Sequence, residues 1–373
     1  MSSTVRLQKS GENILAKVLI LTDTHWGVRN DSPVFLDYFE KTMEEFVIPF
    51  ILENDIKHVI HAGDLVDRRK YINVNTAHRL RHDFLIPLNE LCETHIIAGN
   101  HDEYYKDTYR VNSLTEFVAG RYKNIHTYSS PTTITIDGFD FFLLPWITKE
   151  AEKDCYEAVE KSTASVCVSH LELDGFEMQK GMLSDHGSNH KIYGRFDHVI
   201  TGHYHHRSVR DNIHYIGALC EHIWSDYNDP RGFVVFDTET RDMVFHRNPF
   251  RIFHMVAYDD VKNPNIIENI NATDYSRFKD CYVKIVCVNK TNPYAFDMLL
   301  DKLYKEQPAD ISIVEDVNSF IDNNVDDLVD EAQDTITILD NYIQGLTLPV
   351  EPDKMKHYMR EIYAEALSLE NIE

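Results

Sequence analysis

The sequence predicts an α/β protein: a two-sheet sandwich, then a small α/β module, then C-terminal helices. Three observations carry this. Short apolar runs alternate with amphipathic helical stretches over the first two-thirds of the chain, a pattern that implies right-handed crossovers and a parallel central sheet. Polar motifs rich in Asp and His follow five of those runs. After Asn248-Pro249 the motifs stop and a new strand–helix–strand series begins, followed by an acidic seam.

The elements follow in order. Residues 15–22 read as a buried strand, and Val34 to Glu53 as a helix with Phe35, Phe39, Met43, Phe46, Val47 and Phe50 on one stripe. A strand at His58 to His61, a helix around Asn75 to Cys92 and a strand at His95 to Ala98 come next. Residues 132–146 predict a hairpin turning at Asp137-Gly138. Then follow a helix at about 150–162 and strands at Ser165 to Val168 and Asp197 to Thr201. Short strands at His214 to Ile216 and Phe233 to Asp237 are expected to complete a second sheet. In the module after residue 250, Cys281 to Val288 and Ile311 to Val314 read as strands around a helix from Pro293 to Lys305. From Asn318 on, Ile321, Val325, Leu328, Ala332, Leu339 and Ile343 form a helical seam, and a second amphipathic helix carries Met355, Met359, Ile362, Ala366 and Leu369. The expected units are 1–250, 251–317 and 318–373.

Composition limits the function classes. Hydrophobic residues make up 43% of 373, ample for a core. The longest apolar runs fall far short of the ~20 residues of a membrane span, and the polar N-terminus lacks a signal-peptide pattern. Six cysteines without a C-x-x-C pair suit reduced, buried thiols in a cytoplasmic protein. A formal charge of −24 argues against a general nucleic-acid binder. Its distribution softens that, because 13 acidic and no basic residues lie between Glu306 and Asp353.

The motifs are Asp23-Thr24-His25, Gly63-Asp64-Leu65-Val66-Asp67, Gly99-Asn100-His101-Asp102, Ser169-His170 and Gly202-His203-Tyr204-His205. Divalent metals take carboxylates, neutral imidazoles and amide oxygens, and strand-end loops can gather them without burying naked charge. Asp23 and His25, two apart on an extended chain, should share one side, as should His203 and His205. A carboxylate at Asp64 can bridge two metals about 3.5–4 Å apart. Asn100 offers an amide oxygen, and His170 completes the set. Singly, each motif is ordinary: Asp-x-His is common by chance, and a lone His170 suits a satisfied core histidine equally well. Five in series after five strands describe a two-metal phosphoesterase site.

In this order the motifs resemble those of the calcineurin-like metallophosphoesterases. The resemblance implies that Asp23, His25, Asp64 and His205 hold one metal and Asp64, Asn100, His170 and His203 the other. It also implies that His101 is the catalytic histidine and that Asp67 orients it, an arrangement expected to raise the imidazole pKa. Ser169 stands where that family usually has glycine. The flanking residues narrow the likeness. Gly-Asp-Leu-Val-Asp-Arg-Arg-Lys-Tyr (63–71), Leu144-Pro145-Trp146, Lys180-Gly181-Met182 and Asn228-Asp229-Pro230-Arg231-Gly232-Phe233 are similar to the SbcD (meiotic recombination 11) nucleases, above all those of T-even-like bacteriophages. That resemblance implies a sandwich with a DNA-binding capping unit and two-metal hydrolysis of DNA phosphodiesters. It implies manganese as the metal, with magnesium or iron as alternatives. It further implies a homodimer within a heterotetramer with an SbcC-type coiled-coil ATPase, bound through the C-terminal helices, and a role in recombination and break repair. The chain has no G-x-x-x-x-G-K-[ST] loop of its own, so ATP control would come from that partner. Arg68, Arg69, Lys70, Lys106 and Arg110 are candidates to hold the DNA backbone, with Tyr104 and Tyr105 available to stack on an exposed base. The competing readings are a phosphatase or phosphodiesterase for small molecules or proteins, and a non-catalytic scaffold for the ATPase.

Overall fold

A computed structural model describes residues 16–315. The expectations for residues 1–15 and for the helices of 318–373 lie outside them. The described chain is mixed α/β, built on two six-stranded sheets.

The first four strands, β1 (Lys17–Leu21), β2 (His58–His61), β3 (Glu93–Ile97) and β4 (Ile125–Tyr128), pair in parallel in that order. The hairpin of β5 (Thr132–Ile136) and β6 (Phe139–Leu144) starts the second sheet. It turns as expected on Asp137 (φ 47°) and Gly138 (φ 84°), the left-handed pair that matches strand twist. β7 (Val166–His170) pairs in parallel with β6. A small hairpin of β8 (Glu177–Gln179) and β9 (Met182–Leu183) precedes β10 (His198–Gly202), which lies parallel to β7. β11 (Ser208–Arg210) and β12 (Ile213–Tyr215) finish that sheet.

One expectation is corrected here. The strand β13 (Gly232–Asp237) belongs to the first sheet, antiparallel to β1, with β14 (Met243–Arg247) outside it. Its apolar run identifies a buried strand but carries no information on which sheet it joins. The first sheet is therefore mixed rather than purely parallel.

The alternation of side chains along each strand sets the layers. In β1, Val18 and Ile20 meet Ile200, Phe141 and Phe236 between the sheets. Leu19 and Leu21 face the other way, onto helix residues Phe35, Phe39 and Phe84. Both faces of the inner strands are thus covered, which is why they read as continuous apolar runs.

Two long helices cover the first sheet. In α1, Pro33–Thr42 widens into a π turn at Met43–Val47 and resumes over Ile48–Glu53. In α2, Val74–Arg79 passes through a π turn at Leu80–Leu85 into Ile86–Leu91. Both wide turns end on an Ile-Pro pair, Ile48-Pro49 and Ile86-Pro87. Proline offers no N–H and its ring collides with the carbonyl four residues back, and a widened turn removes that collision. A helix α3 (Glu152–Lys161) packs Cys155 and Val159 against the second sheet.

The chain then enters a three-stranded parallel sheet of β15 (Phe253–Asp259), β16 (Tyr282–Asn289) and β17 (Asp310–Val314). Helices α4 (Ile266–Ala272) and α5 (Pro293–Lys305) cover it and enclose a core of their own around Phe278, Phe296 and Leu299. All six cysteines are buried free thiols. Among the described residues no helix is long and apolar enough to cross a membrane.

Candidate metal centre

The five motifs meet at one rim, formed by the C-terminal ends of β1, β2, β3, β7 and β10. Backbone bonds join the first two loops: Asp23 N–H to Gly63 O (3.0 Å), His25 N–H to Asp64 O (3.1 Å) and Trp26 N–H to Leu65 O (3.0 Å). The two sheets are tied across the rim by the His203 N–H, which donates to the Asp23 carboxylate at 3.2 Å.

The side chains converge, but not by strand alternation. Asp23 (φ 50°), His25 (φ 42°), Asp64 (φ 56°) and His203 (φ 91°) all occupy positive-φ conformations. Expecting Asp23 and His25 to share one side of an extended chain is therefore corrected: left-handed backbone turns bring them together. Such conformations cost of order 1–3 kcal/mol each and persist where surrounding contacts impose them.

Three overlapping donor groups result here. Asp23, His25 and His205 bring ligand atoms within 4.8 Å of one another, as do Asp64, His170 and His203, and as do His25, Asp64 and His101. His25 Nε2 lies 3.6 Å from Asp64 Oδ2, 3.7 Å from Asp23 Oδ1 and 3.1 Å from His205 Nε2. His170 Nε2 lies 3.2 Å from Asp64 Oδ2 and 3.0 Å from Asn100 Oδ1, and His203 Nδ1 is 2.9 Å from the same amide oxygen. Asp64 stands between the groups.

The space around them is closed to larger residues. A Cβ on Gly99 would sit 2.1 Å from Asp64 Oδ1, and one on Gly63 2.4 Å from His170 Nδ1. The donors are all oxygen and nitrogen, buried apart from the part-exposed His203, and mixed in charge. This set fits divalent metal ions, and two could share Asp64.

Electrostatics agree. Burial alone would push the Asp64 carboxyl up, but His170, His101 and His25 hold it well below its usual range. Burial would lower His170, yet Asp64 and Asp23 raise it to about 9. A ligand imidazole gives up its proton on binding a metal, so metal binding at His170 is linked to proton release. Burial, with neighbouring histidines, holds His205 and His222 well below 6.5, so both are neutral donors.

His101 stands beside this centre. Its backbone N–H donates to Asp64 Oδ1 at 2.7 Å, and its ring is 4.7 Å from that of His25. Its Nδ1 donates to the Asp67 carbonyl oxygen at 2.5 Å, while the Asp67 carboxylate lies 3.6 Å from His25 Nδ1. Asp67 thus holds His101 through its backbone carbonyl, while its carboxylate faces His25. The expected rise in the His101 pKa is corrected. Burial dominates and lowers it, although Asp64 and Asp67 pull the other way.

Several residues here had no role assigned from the sequence. His222 is fully buried, with Nδ1 3.4 Å from His205 Nδ1 and its ring 5.2 Å from that of His25. With Asp226 and His205 it forms a further donor group. Arg231 binds the His205 carbonyl and Asp226 and lies 3.1 Å from Asp229, bracing that loop. Asp102, inside a motif but without an expected role, accepts from Gly99 N, Leu65 N, Val66 N and Ser113 Oγ, and so clamps two of the loops together.

The basic and aromatic candidates are less uniform. Arg68 is held by Asp31 and Asn30, both at 2.8 Å, and Arg110 by Glu150. Arg69 is part-buried and faces the charges of Asp64, Glu103 and Asp102. Lys70, Tyr104, Tyr105 and Lys106 are exposed, and the two tyrosine rings meet edge-on at 4.6 Å.

A two-sheet sandwich that gathers Asp, Asn and His donors at one strand-end rim, shared through a single carboxylate, defines a metal-dependent phosphoesterase site. The chain belongs to the calcineurin-like phosphoesterases, whose family pattern matches residues 16–207. It is 30% identical to exonuclease subunit 1 of Enterobacteria phage T4, over 94% of this chain and 99% of that protein. It is 24% identical to the SbcD component of the nuclease SbcCD of Staphylococcus epidermidis, over 92% of this chain and 98% of that one.

Proposed function

We propose that this chain is the nuclease subunit of a DNA-processing complex, hydrolysing phosphodiesters as an exonuclease and endonuclease in recombination and double-strand break repair. The observation that carries the reading is the pair of donor groups meeting at Asp64 with His101 directly beside them. Similarity to two nuclease subunits along almost the whole chain supports DNA as the substrate.

Asp23, His25, Asp64 and His205 would hold one ion, and Asp64, Asn100, His170 and His203 the other. The chemistry supplied by bound divalent ions, manganese on donor type, is charge neutralisation at the scissile phosphate and acidification of the attacking water. The chain's own part is positioning and proton transfer. A carbonyl only accepts, so the Asp67 bond fixes the proton on His101 Nδ1 and leaves Nε2 for substrate. Nε2 would take up a proton from solvent and give it to the 3′ oxygen as the phosphorus–oxygen bond breaks, returning His101 to its neutral Nδ1–H form.

In this reading residues 1–250 are the nuclease body, 251–317 a capping unit that contacts DNA, and 318–373 the part that binds an SbcC-type ATPase in a dimer-of-dimers assembly. Lys70, Lys106, Tyr104 and Tyr105 are the exposed candidates for DNA contact, with Arg68, Arg69 and Arg110 behind them. The test is digestion of end-labelled duplex DNA with manganese, with and without the ATPase and ATP. Progressive strand shortening is expected. Good turnover of small phosphate esters with intact DNA under every condition would overturn the reading in favour of a small-molecule phosphoesterase.

A further inference from the structure

Each of the four histidines assigned to metal turns one ring nitrogen to the centre and keeps the other. The partner of that second nitrogen fixes the tautomer and the angle of the ring. In His170 the second nitrogen is Nδ1, which donates to the Ala62 carbonyl at 2.8 Å. In His25 it is Nδ1, facing the Asp67 carboxylate at 3.6 Å, and in His203 it is Nε2, 3.8 Å from Glu172 Oε1. His205 differs from these three. Its Nε2 faces His25 Nε2 at 3.1 Å, and its Nδ1 meets another imidazole, His222 Nδ1, at 3.4 Å.

His222 lies outside all five motifs, yet the fold pins it in place. Its backbone N–H donates to Asp226 Oδ2 at 2.6 Å, and its carbonyl accepts from Arg29 Nε at 3.1 Å. The buried ring packs edge-on against His25 and Phe39, at 5.2 and 5.7 Å. His205 is braced as well, its carbonyl accepting from the Ala218 N–H at 3.2 Å and from Arg231. Asp226 is not free to complete a third metal site with these two histidines. Its Oδ2 accepts from the His222 and Ile223 N–H groups, and its Oδ1 pairs with Arg231. His222 Nε2 is buried without a hydrogen-bond partner among the described residues, so the ring's one hydrogen bond there is to His205.

Two Nδ1 atoms in contact need one proton between them, because two protons collide and none leaves two lone pairs opposed. A nitrogen that binds an ion carries no proton. With Nε2 turned to the centre, His205 keeps its proton on Nδ1 and donates it to His222 Nδ1. His222 must then hold its own proton on Nε2. We propose that His222 is a positioning residue, whose Nδ1 accepts the Nδ1–H of His205 and so fixes the tautomer and ring angle that present His205 Nε2 to an ion. The proposal rests on the assignment of Asp23, His25, Asp64 and His205 to one ion. His222 itself touches neither substrate nor reacting atoms; it acts through His205.

The test is a manganese titration of the full chain without DNA, read from the paramagnetic resonance of the free ion. His222→Asn places an amide oxygen, an acceptor, where Nδ1 stood. His222→Leu has the same reach and no acceptor. The leucine variant should bind one of two ions about 10- to 100-fold more weakly and the other as wild type does, and asparagine should restore the weakened site to within about threefold. Melting temperatures of the metal-free variants should rank the other way, because a buried amide needs partners and a buried leucine does not. Affinity that follows melting temperature across the two variants would reduce His222 to packing and overturn the proposal. Wild-type affinity at both sites in the leucine variant would do the same. So would three ions in wild type falling to two in both variants, which would make His222 a ligand. A second measurement needs no variant to fold: nitrogen-15 spectra of the wild-type chain loaded with diamagnetic zinc should place protons on His205 Nδ1 and His222 Nε2, and the opposite tautomers would refute the role. A wild-type chain that binds no manganese would sink the two-metal reading itself, and this role with it.

Discussion

At the residue scale, His101 and Glu103 show how one short loop divides its work. His101 is held by the Asp67 carbonyl and by Asp64; its ring shares a donor group with His25 and Asp64, but the proposed function assigns it to proton transfer rather than to metal. Replacing it with glutamine should leave manganese binding intact by calorimetry while lowering DNA cleavage by about 100-fold or more. Equal loss of both would show that His101 is a ligand instead. Glu103 is 1% exposed, and both its carboxylate oxygens lack a hydrogen-bond partner. Burial, then the nearby Asp102 charge, push its pKa up to about 8 from an ordinary 4.5, with Arg69 opposing. Below pH 4.5 both folded and unfolded chains hold this proton and no penalty arises. Between 4.5 and 8 the unfolded chain ionises first, so stability falls as pH rises. Glu103→Gln removes that slope. Its melting temperature should exceed wild type by about 3 °C or more at pH 9, with a smaller gap at pH 6. A gap that does not change with pH would remove Glu103 as the cause.

At the element scale, one side chain bridges α1 and α2 by several hydrogen bonds. Arg79 donates to Asp83 on its own helix and to Asp37, Glu40 and the Leu36 carbonyl on α1. The guanidinium is 18% exposed, so these bonds are less screened than a surface pair. Arg79→Ala should cost about 1–2 kcal/mol, read as a lowered denaturation midpoint at unchanged slope. Lysine at this position should recover only part of that loss, because one ammonium cannot reach acceptors on both helices with the geometry of a guanidinium. Both helices were legible from their apolar stripes, since packing against the sheet dictates that period. The manner of fitting Pro49 and Pro87 was not, because a π turn preserves the overall stripe while changing one turn of hydrogen bonds.

At the scale of the whole molecule, β13 closes the first sheet over a long chain separation and brings the Gly217–Arg231 loops beside the rim. That closure places His222, Asp226 and Arg231 against His205. The three-stranded module is attached by local packing. Phe253 and Tyr282 lie against Phe35, and Glu221 accepts from the Ile252 and Phe253 N–H groups at 2.9 and 3.0 Å. No residue after 315 is needed for any contact described at the metal centre. A chain ending near residue 317 should therefore keep manganese-dependent cleavage of short duplexes within about threefold of wild type. In the proposed assembly it should lose capture of an SbcC-type ATPase, and retained capture would refute the assignment of residues 318–373 to that contact.

The sequence by itself determined the kinds of residue at the centre and the strands that deliver them. Asp23, His25, Asp64, Asn100, His170, His203 and His205 each follow a recognisable apolar run, and a run long enough to be a strand fixes where its loop starts. Tertiary structure decided how those loops meet. Positive φ at Asp23, His25, Asp64 and His203 is imposed by backbone bonds between loops far apart in sequence, and no local pattern encodes it. The same holds for His222, which reaches the centre only because β13 pairs with β1, and for the Asp67 carbonyl that holds His101. Side-chain identity is a local property, but the direction of a side chain at a strand end depends on partners that only the folded chain brings within reach.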